Sequence, residues 1–175
     1  MKLFKYVLSF SIIFLGMATP PLAWSQSWPS EFDLESYFLG ETTAWGIFEN
    51  RQGELVRQFK VTIVGEKQNG ELVLTEDFDY ADGEKQRRIW RIKRLENGLY
   101  EGRAADILGT AVGEVTGNIL HWDYQMKLPV GDKSYQVKFK DKMYLQPDKM
   151  LINRAIVTKW GFRVGEVTLM FMPAD

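Results

Sequence analysis

The chain has 175 residues, with 22 Lys and Arg against 23 Asp and Glu, one His and no Cys. Without Cys there are no disulfides, no thiolate metal sites and no thiol nucleophile. With one His, metal sites built on two or more histidines are excluded too. There is no basic excess to meet phosphates, so nucleic acid is not an expected partner.

The first segment reads as a leader rather than as part of the fold. Lys2 and Lys5 precede an apolar run from Tyr6 to Met17, which Pro20 and Pro21 break. At 12 residues the run is too short to span a bilayer comfortably. Small residues around Ala23-Trp24-Ser25 suit a signal peptidase, so residues 1–25 are expected to be a cleaved signal peptide and the product periplasmic or secreted. Losing Lys2 and Lys5 takes 22 basic residues to 20 against 23 acidic, a formal charge of −3. Residues 26–175, roughly 150 in number, suit one domain with a single core.

Residues 27–39 suggest a short helix or turn across one end of the fold. Strands follow. Gly40 to Glu49 has Trp45, Ile47 and Thr43 on one face, and Leu55 to Glu66 puts Phe59, Val61 and Ile63 inward. Asn69-Gly70 is a strong hairpin signal, since a type I′ turn needs positive φ at both central residues. Leu72 to Tyr80 turns Leu72, Leu74, Glu76, Phe78 and Tyr80 to one side. Gln86 to Leu95 does the same with Arg88, Trp90 and Ile92, and Leu99 to Asp106 with Tyr100, Gly102, Ala104 and Asp106. Gly109, Gly113 and Gly117 fall in a segment where glycine marks bends or close backbone approach. A strand from Ile119 to Leu128 carries the single His121, read as an ordinary strand residue. The strand at 135–145 then places Tyr135, Val137, Phe139, Asp141, Met143 and Leu145 on one face against three lysines. After Pro147-Asp148, the file Met150, Ile152, Arg154, Ile156, Thr158 and Trp160 is expected inward, and Arg163 to Met172 ends the meander.

No stretch holds helical periodicity over three turns. Nine or ten antiparallel strands on short turns should curl and close, which removes their edges. The expected fold is all-β: a single antiparallel up-and-down β-barrel of lipocalin-like shape.

Hairpin loops fix register, so neighbours across strands can be computed. A three-residue loop at Ala81–Gly83 pairs Glu76 with Arg88 and Leu74 with Trp90. A three-residue loop at Glu96–Gly98 sets Arg88 against Asp106. A two-residue loop at Pro147-Asp148 sets Asp141 against Arg154. Five charges then face inward: Glu76, Arg88, Asp106, Asp141 and Arg154. Buried charges must be paired or wet. One guanidinium can serve two carboxylates, so Arg88 between Glu76 and Asp106 forms a triad.

Three functions fit this pattern. The cluster, with Tyr80, Tyr100 and Tyr135, lines a cavity and binds the polar end of a small amphipathic or lipid-like molecule. Alternatively the barrel is filled, the ion pairs are structural and the protein is an envelope component. In the third, Glu76 or Asp106 works with a tyrosine as an acid–base pair in an isomerase or lyase. No catalytic residue, metal or cofactor is nominated; no G-x-S-x-G, phosphate loop or dinucleotide fingerprint occurs. Peripheral association with the envelope is the other expected partnership.

Several spaced motifs resemble one family. They are Tyr37-Phe38-Leu39-Gly40, Ala44-Trp45-Gly46-Ile47-Phe48 with Arg51, Glu76-Asp77-Phe78 and Tyr80-Ala81-Asp82-Gly83. Others follow at Arg88-Ile89-Trp90, Gly102-Arg103-Ala104 with Asp106, and Trp122-Asp123-Tyr124. The set ends at Asp141-Lys142-Met143-Tyr144-Leu145 and Asn153-Arg154-Ala155. In these the chain resembles the domain of unknown function 3833 family. That resemblance implies a small exported proteobacterial protein, often a lipoprotein, with no activity to carry over. The chain departs from it in lacking the Cys that would take a lipid, and in having Lys142 where an aromatic is expected. A looser resemblance is to lipocalins, in which an Arg from a late strand covers a Trp on the first strand. It implies that Trp45 and Arg154 close the barrel through a cation–π contact.

Overall fold

The computed structural model describes residues 27–130 and 133–174. The expected signal peptide lies outside the described residues. One short helix, α1 (Leu34–Phe38), precedes ten strands: β1 (Gly40–Asn50), β2 (Leu55–Gln68), β3 (Glu71–Tyr80), β4 (Lys85–Arg94), β5 (Tyr100–Arg103), β6 (Ala111–Thr116), β7 (Ile119–Val130), β8 (Lys133–Leu145), β9 (Leu151–Lys159) and β10 (Phe162–Pro173). Each strand pairs with the next, and β10 returns to pair with β1, so the sheet is a closed barrel. The closing ladder runs from Thr42 opposite Pro173 to Asn50 opposite Gly165.

α1 stops one end. Asp33 caps it by accepting from the Ser36 amide at 2.7 Å. Its apolar side drives Leu34 and Phe38 into the barrel, where Phe38 meets Phe171 edge-on with ring centroids 5.7 Å apart. An ion pair from Lys67 of β2 to Glu35 ties its outer side. The Phe38 carbonyl fills the space that a Cβ on Gly65 would take, so the helix sits directly on the β2 backbone. Above it, Leu72, Ile92, Leu120 and Leu151 are almost fully buried and make the lower core.

The register follows the loops. Glu76 stands opposite Arg88, Leu74 opposite Trp90 and Leu72 opposite Ile92, as expected. Ile92 is opposite Gly102, the expected register for β4 and β5. On β8, Val137, Phe139 and Asp141 are buried, again on the expected face. Gly102 and Gly113 have a different use from bending. Both lie under the Trp122 ring, which a Cβ at either would overlap.

Two expectations fail on parity. The link from β8 to β9 takes five residues, not two, with Leu145 opposite Leu151. Asp148 and Lys149 both turn left-handed within it, at φ 58° and 60°. The shift puts Leu151, Asn153, Ala155 and Val157 inside. Arg154 is therefore on the outer face, opposite Lys142 and Thr168 instead of Asp141. Trp45 is also outside and 47% exposed. Thr42, Ala44 and Gly46 are the buried residues of β1, and Gly46 leaves room for the Phe59 ring within. Trp45 and Arg154 therefore do not close the barrel; the β1–β10 ladder does.

Candidate functional site

The barrel is hollow. A cavity of about 760 Å³ runs from its open end to a floor that includes Leu34, Phe38 and Ile92. Its walls are mostly apolar and strongly aromatic. Phe59, Phe78 and Tyr80 form one ring cluster, with centroids 5.4–6.0 Å apart. Trp90 meets Trp122 and Tyr124 edge-on, and Tyr124 stacks on Phe139 at 5.0 Å.

Polar groups occupy two levels. At the rim, Arg57 of β2 binds Asp82 at 3.0 Å, pairs with Glu84, and lies 3.5 Å over the Tyr80 ring. The Tyr80 hydroxyl donates to Gln86 at 3.1 Å. Halfway down, Arg88 Nη2 is 2.9 Å from Asp106 and Nη1 is 3.7 Å from Glu76. This is the expected triad, with one difference. β5 ends at Arg103, so Asp106 reaches Arg88 from the following turn and is not itself a lining residue. On the facing strands Asn153 Nδ2 donates to Asp141 Oδ2 at 3.1 Å. Asp141 Oδ1 and Asn153 Oδ1 are buried with no hydrogen-bond partner.

Burial dominates the protonation of this level. It pushes the Glu76 carboxyl up to about 7; the Asp106 charge adds to this, and Arg88 and a hydrogen bond from Trp90 work against it. Burial pushes Asp141 to about 7 as well, with Asn153 as the main opposing influence and nearby Asp123 and Glu76 charges reinforcing the rise. Burial also raises the Tyr124 hydroxyl well above its ordinary value. For Arg88, burial opposes the charge, but Glu76, Tyr124 and Asp106 outweigh it and keep the guanidinium protonated.

Of the residues nominated from sequence, Glu76, Arg88, Asp141 and Tyr80 line the cavity, and Asp106 supports Arg88. Tyr100 and Tyr135 do not line it. Tyr100 is buried beside Gly113, with the Arg94 guanidinium over its ring. Tyr135 sits where Lys159 covers its ring at 3.5 Å. Arg154 belongs to an outer-face clamp, in which it and Arg163 each reach Glu166 at 2.6 Å and bury that carboxylate. Sequence reasoning missed Asn153, Tyr124 and Arg57. Asn153 was hidden by the β9 parity. Tyr124 carries a visible signal, since it alternates with the inward Trp122 and Met126.

The sequence matches the family described as Protein of unknown function (DUF3833) over residues 11–172. The chain belongs to the DUF3833 family. A comparison with curated proteins returned no match. For this DUF3833 member the cavity is the feature from which a function can be argued. Among the described residues no group of three or more His, Asp or Glu side chains is placed to hold a metal. What the lumen offers is an apolar sleeve with carboxyl, amide, phenol and guanidinium groups at mid-depth.

Proposed function

We propose that this DUF3833 member is an exported binding protein that carries a small amphipathic or lipid-like molecule in its barrel. The observation that carries this reading is the 760 Å³ cavity itself, open at one end and stoppered by α1 at the other. A barrel kept only as a scaffold gains by filling its interior, because unfilled space forfeits dispersion contacts. Cavities of roughly 300–1,000 Å³, apolar with a few placed polar groups, are what small-molecule sites look like. Aromatic walls would hold the tail, and the polar level would set the depth of the head. The leader-like N-terminal sequence supports a periplasmic or secreted location.

Native mass spectrometry of the protein purified from its own cells tests the reading. One defined organic mass, released on unfolding, is the expected result. A second measurement is fluorescence of Trp90 and Trp122 during titration with long-chain amphiphiles, repeated on Leu169→Trp, which fills the lumen from β10. An unliganded mass together with a titration curve unaltered in Leu169→Trp would remove the proposal.

The acid–base reading keeps one observation in its favour: two lumen carboxyls whose protonation changes near neutral pH, Glu76 and Asp141. A Glu76→Gln variant that folds and retains any turnover found would dispose of it.

A further inference from the structure

The charges in the lumen say more about the ligand than its size does. The cavity wall carries four carboxylates, Glu76, Asp82, Glu84 and Asp141, and two guanidiniums, Arg57 and Arg88. Each guanidinium is already taken by two acids. Arg57 holds Asp82 and Glu84, and Arg88 holds Glu76 and Asp106. Among the described residues no free cation faces the mid-depth of the cavity. Asp141 is the wall carboxylate with no ion-pair partner there.

The hydrogen-bond inventory agrees with the charge count. Asn153 uses its amide N–H on Asp141, which fixes the amide so that Oδ1 is an acceptor. Asp141 Oδ1 is the second acceptor beside it. Both residues are more than nine-tenths buried, at 6% and 2% exposure, and both oxygens lack a donor. A buried acceptor without a donor costs on the order of 1–3 kcal/mol, so a donor arriving at these two would be stabilised there. The neighbouring surface suits a cation as well. Trp122 is directly opposite Asp141 on β7, and the Tyr124–Phe139 stack is one pair further along. Ring faces attract positive charge most where water is excluded.

We infer that the head group seated at Asp141 and Asn153 is a protonated amine on an apolar tail. This deepens the carrier reading and rests on it. A fatty-acid carboxylate is disfavoured by the same geometry. It would present two more acceptors to an acceptor-rich site and would compete with Glu76 and Asp106 for Arg88. An ammonium brings three donors, enough for both orphaned oxygens with one to spare.

The test is a panel with one tail and three heads: dodecylammonium, dodecanol and dodecanoate. Each is titrated into the protein by calorimetry at pH 8, where an alkylammonium keeps its proton. The amine should bind about ten- to a hundredfold more tightly than either other head, as hydrogen bonds to charged groups are worth that much. Asp141→Asn should remove most of that preference. If dodecanoate binds as well as the amine or better, the amine head is wrong and the carrier reading stands. Equal affinity for all three also sinks the head-group inference, because the tail alone would then be recognised. Should none of the three bind to folded protein, both readings fall together. The wild-type ranking decides the matter even if Asp141→Asn does not fold.

Discussion

At the scale of single residues, Arg88 and Arg154 show how place decides the worth of a charge. Arg88 is 14% exposed and stands between two carboxylates that have no other cation nearby. Arg88→Met should cost about 3–5 kcal/mol in urea unfolding, since it strands those carboxylates. Arg154 has a 63% exposed side chain, and its partner Glu166 keeps Arg163. Arg154→Ala should cost about 1 kcal/mol or less. Equal losses for the two would contradict the geometry.

Protonation of Glu76 and Asp141 gives the molecule an unusual pH profile. Both folded-state values are raised to about 7, from 4.5 and 3.8. Between roughly pH 4 and 7 the native state therefore holds protons that the unfolded chain has lost, and stability falls as pH rises through that window. The loss is on the order of 3 kcal/mol per carboxyl and levels off above pH 7. The surface pairs Arg87–Asp77 and Arg57–Asp82 lower their carboxyls, so their contribution disappears only as pH falls below about 4. Unfolding free energy should peak near pH 4–5. Glu76→Gln should flatten the decline toward neutrality; a wild-type curve that climbs from pH 5 to 7.5 would refute the assignment.

At the scale of elements, the hairpins explain what is legible in the sequence. Ala81-Asp82-Gly83 and Glu96-Asn97-Gly98 put Gly where the backbone turns left-handed, at φ 88° and 84°. Loop length was therefore visible, and the pairing of Glu76 with Arg88 followed from it, whereas Asp106 meets Arg88 from the turn after β5 and not from the ladder. The β8–β9 link has no Gly, and Lys149 itself goes to φ 60°. Nothing in the sequence signals that a lysine turns left-handed, so one strand was assigned its wrong face. Trp45 misled for a related reason. Bulk normally marks the inner file, but here inner Gly46 yields space to Phe59, and the large ring goes outside. The strained turn makes its own prediction: Lys149→Gly should stabilise by up to about 1 kcal/mol in thermal melts, by removing the left-handed penalty. The tight packing at β6 makes another. Gly113→Ala should lose about 1–3 kcal/mol and change the near-UV signal of Trp122, whose ring occupies the space.

At the scale of the whole molecule, the architecture separates two tasks. The lower barrel, with α1, Leu72, Leu120 and Leu151, supplies a close-packed base. The upper barrel is given over to space and to the polar level. Substitutions at Leu72 or Leu151, which lie below the cavity lining, should lower stability more than ligand affinity. The overall barrel was legible because alternation and short turns leave a ten-strand meander few alternatives to closing. The hollow was not, since alternation tells which side chains face inward but not whether they meet.

The seam between β1 and β10 joins residues more distant along the chain than any other ladder, with Thr42 beside Pro173. A polypeptide emerging from its N-terminus must hold β1 as an unsatisfied border until its final strand is made. Ring closure is therefore the slow, late event of folding. Interrupting synthesis before Phe162 would leave a curled ribbon with two adhesive margins, a species that a cell would have to shield or destroy.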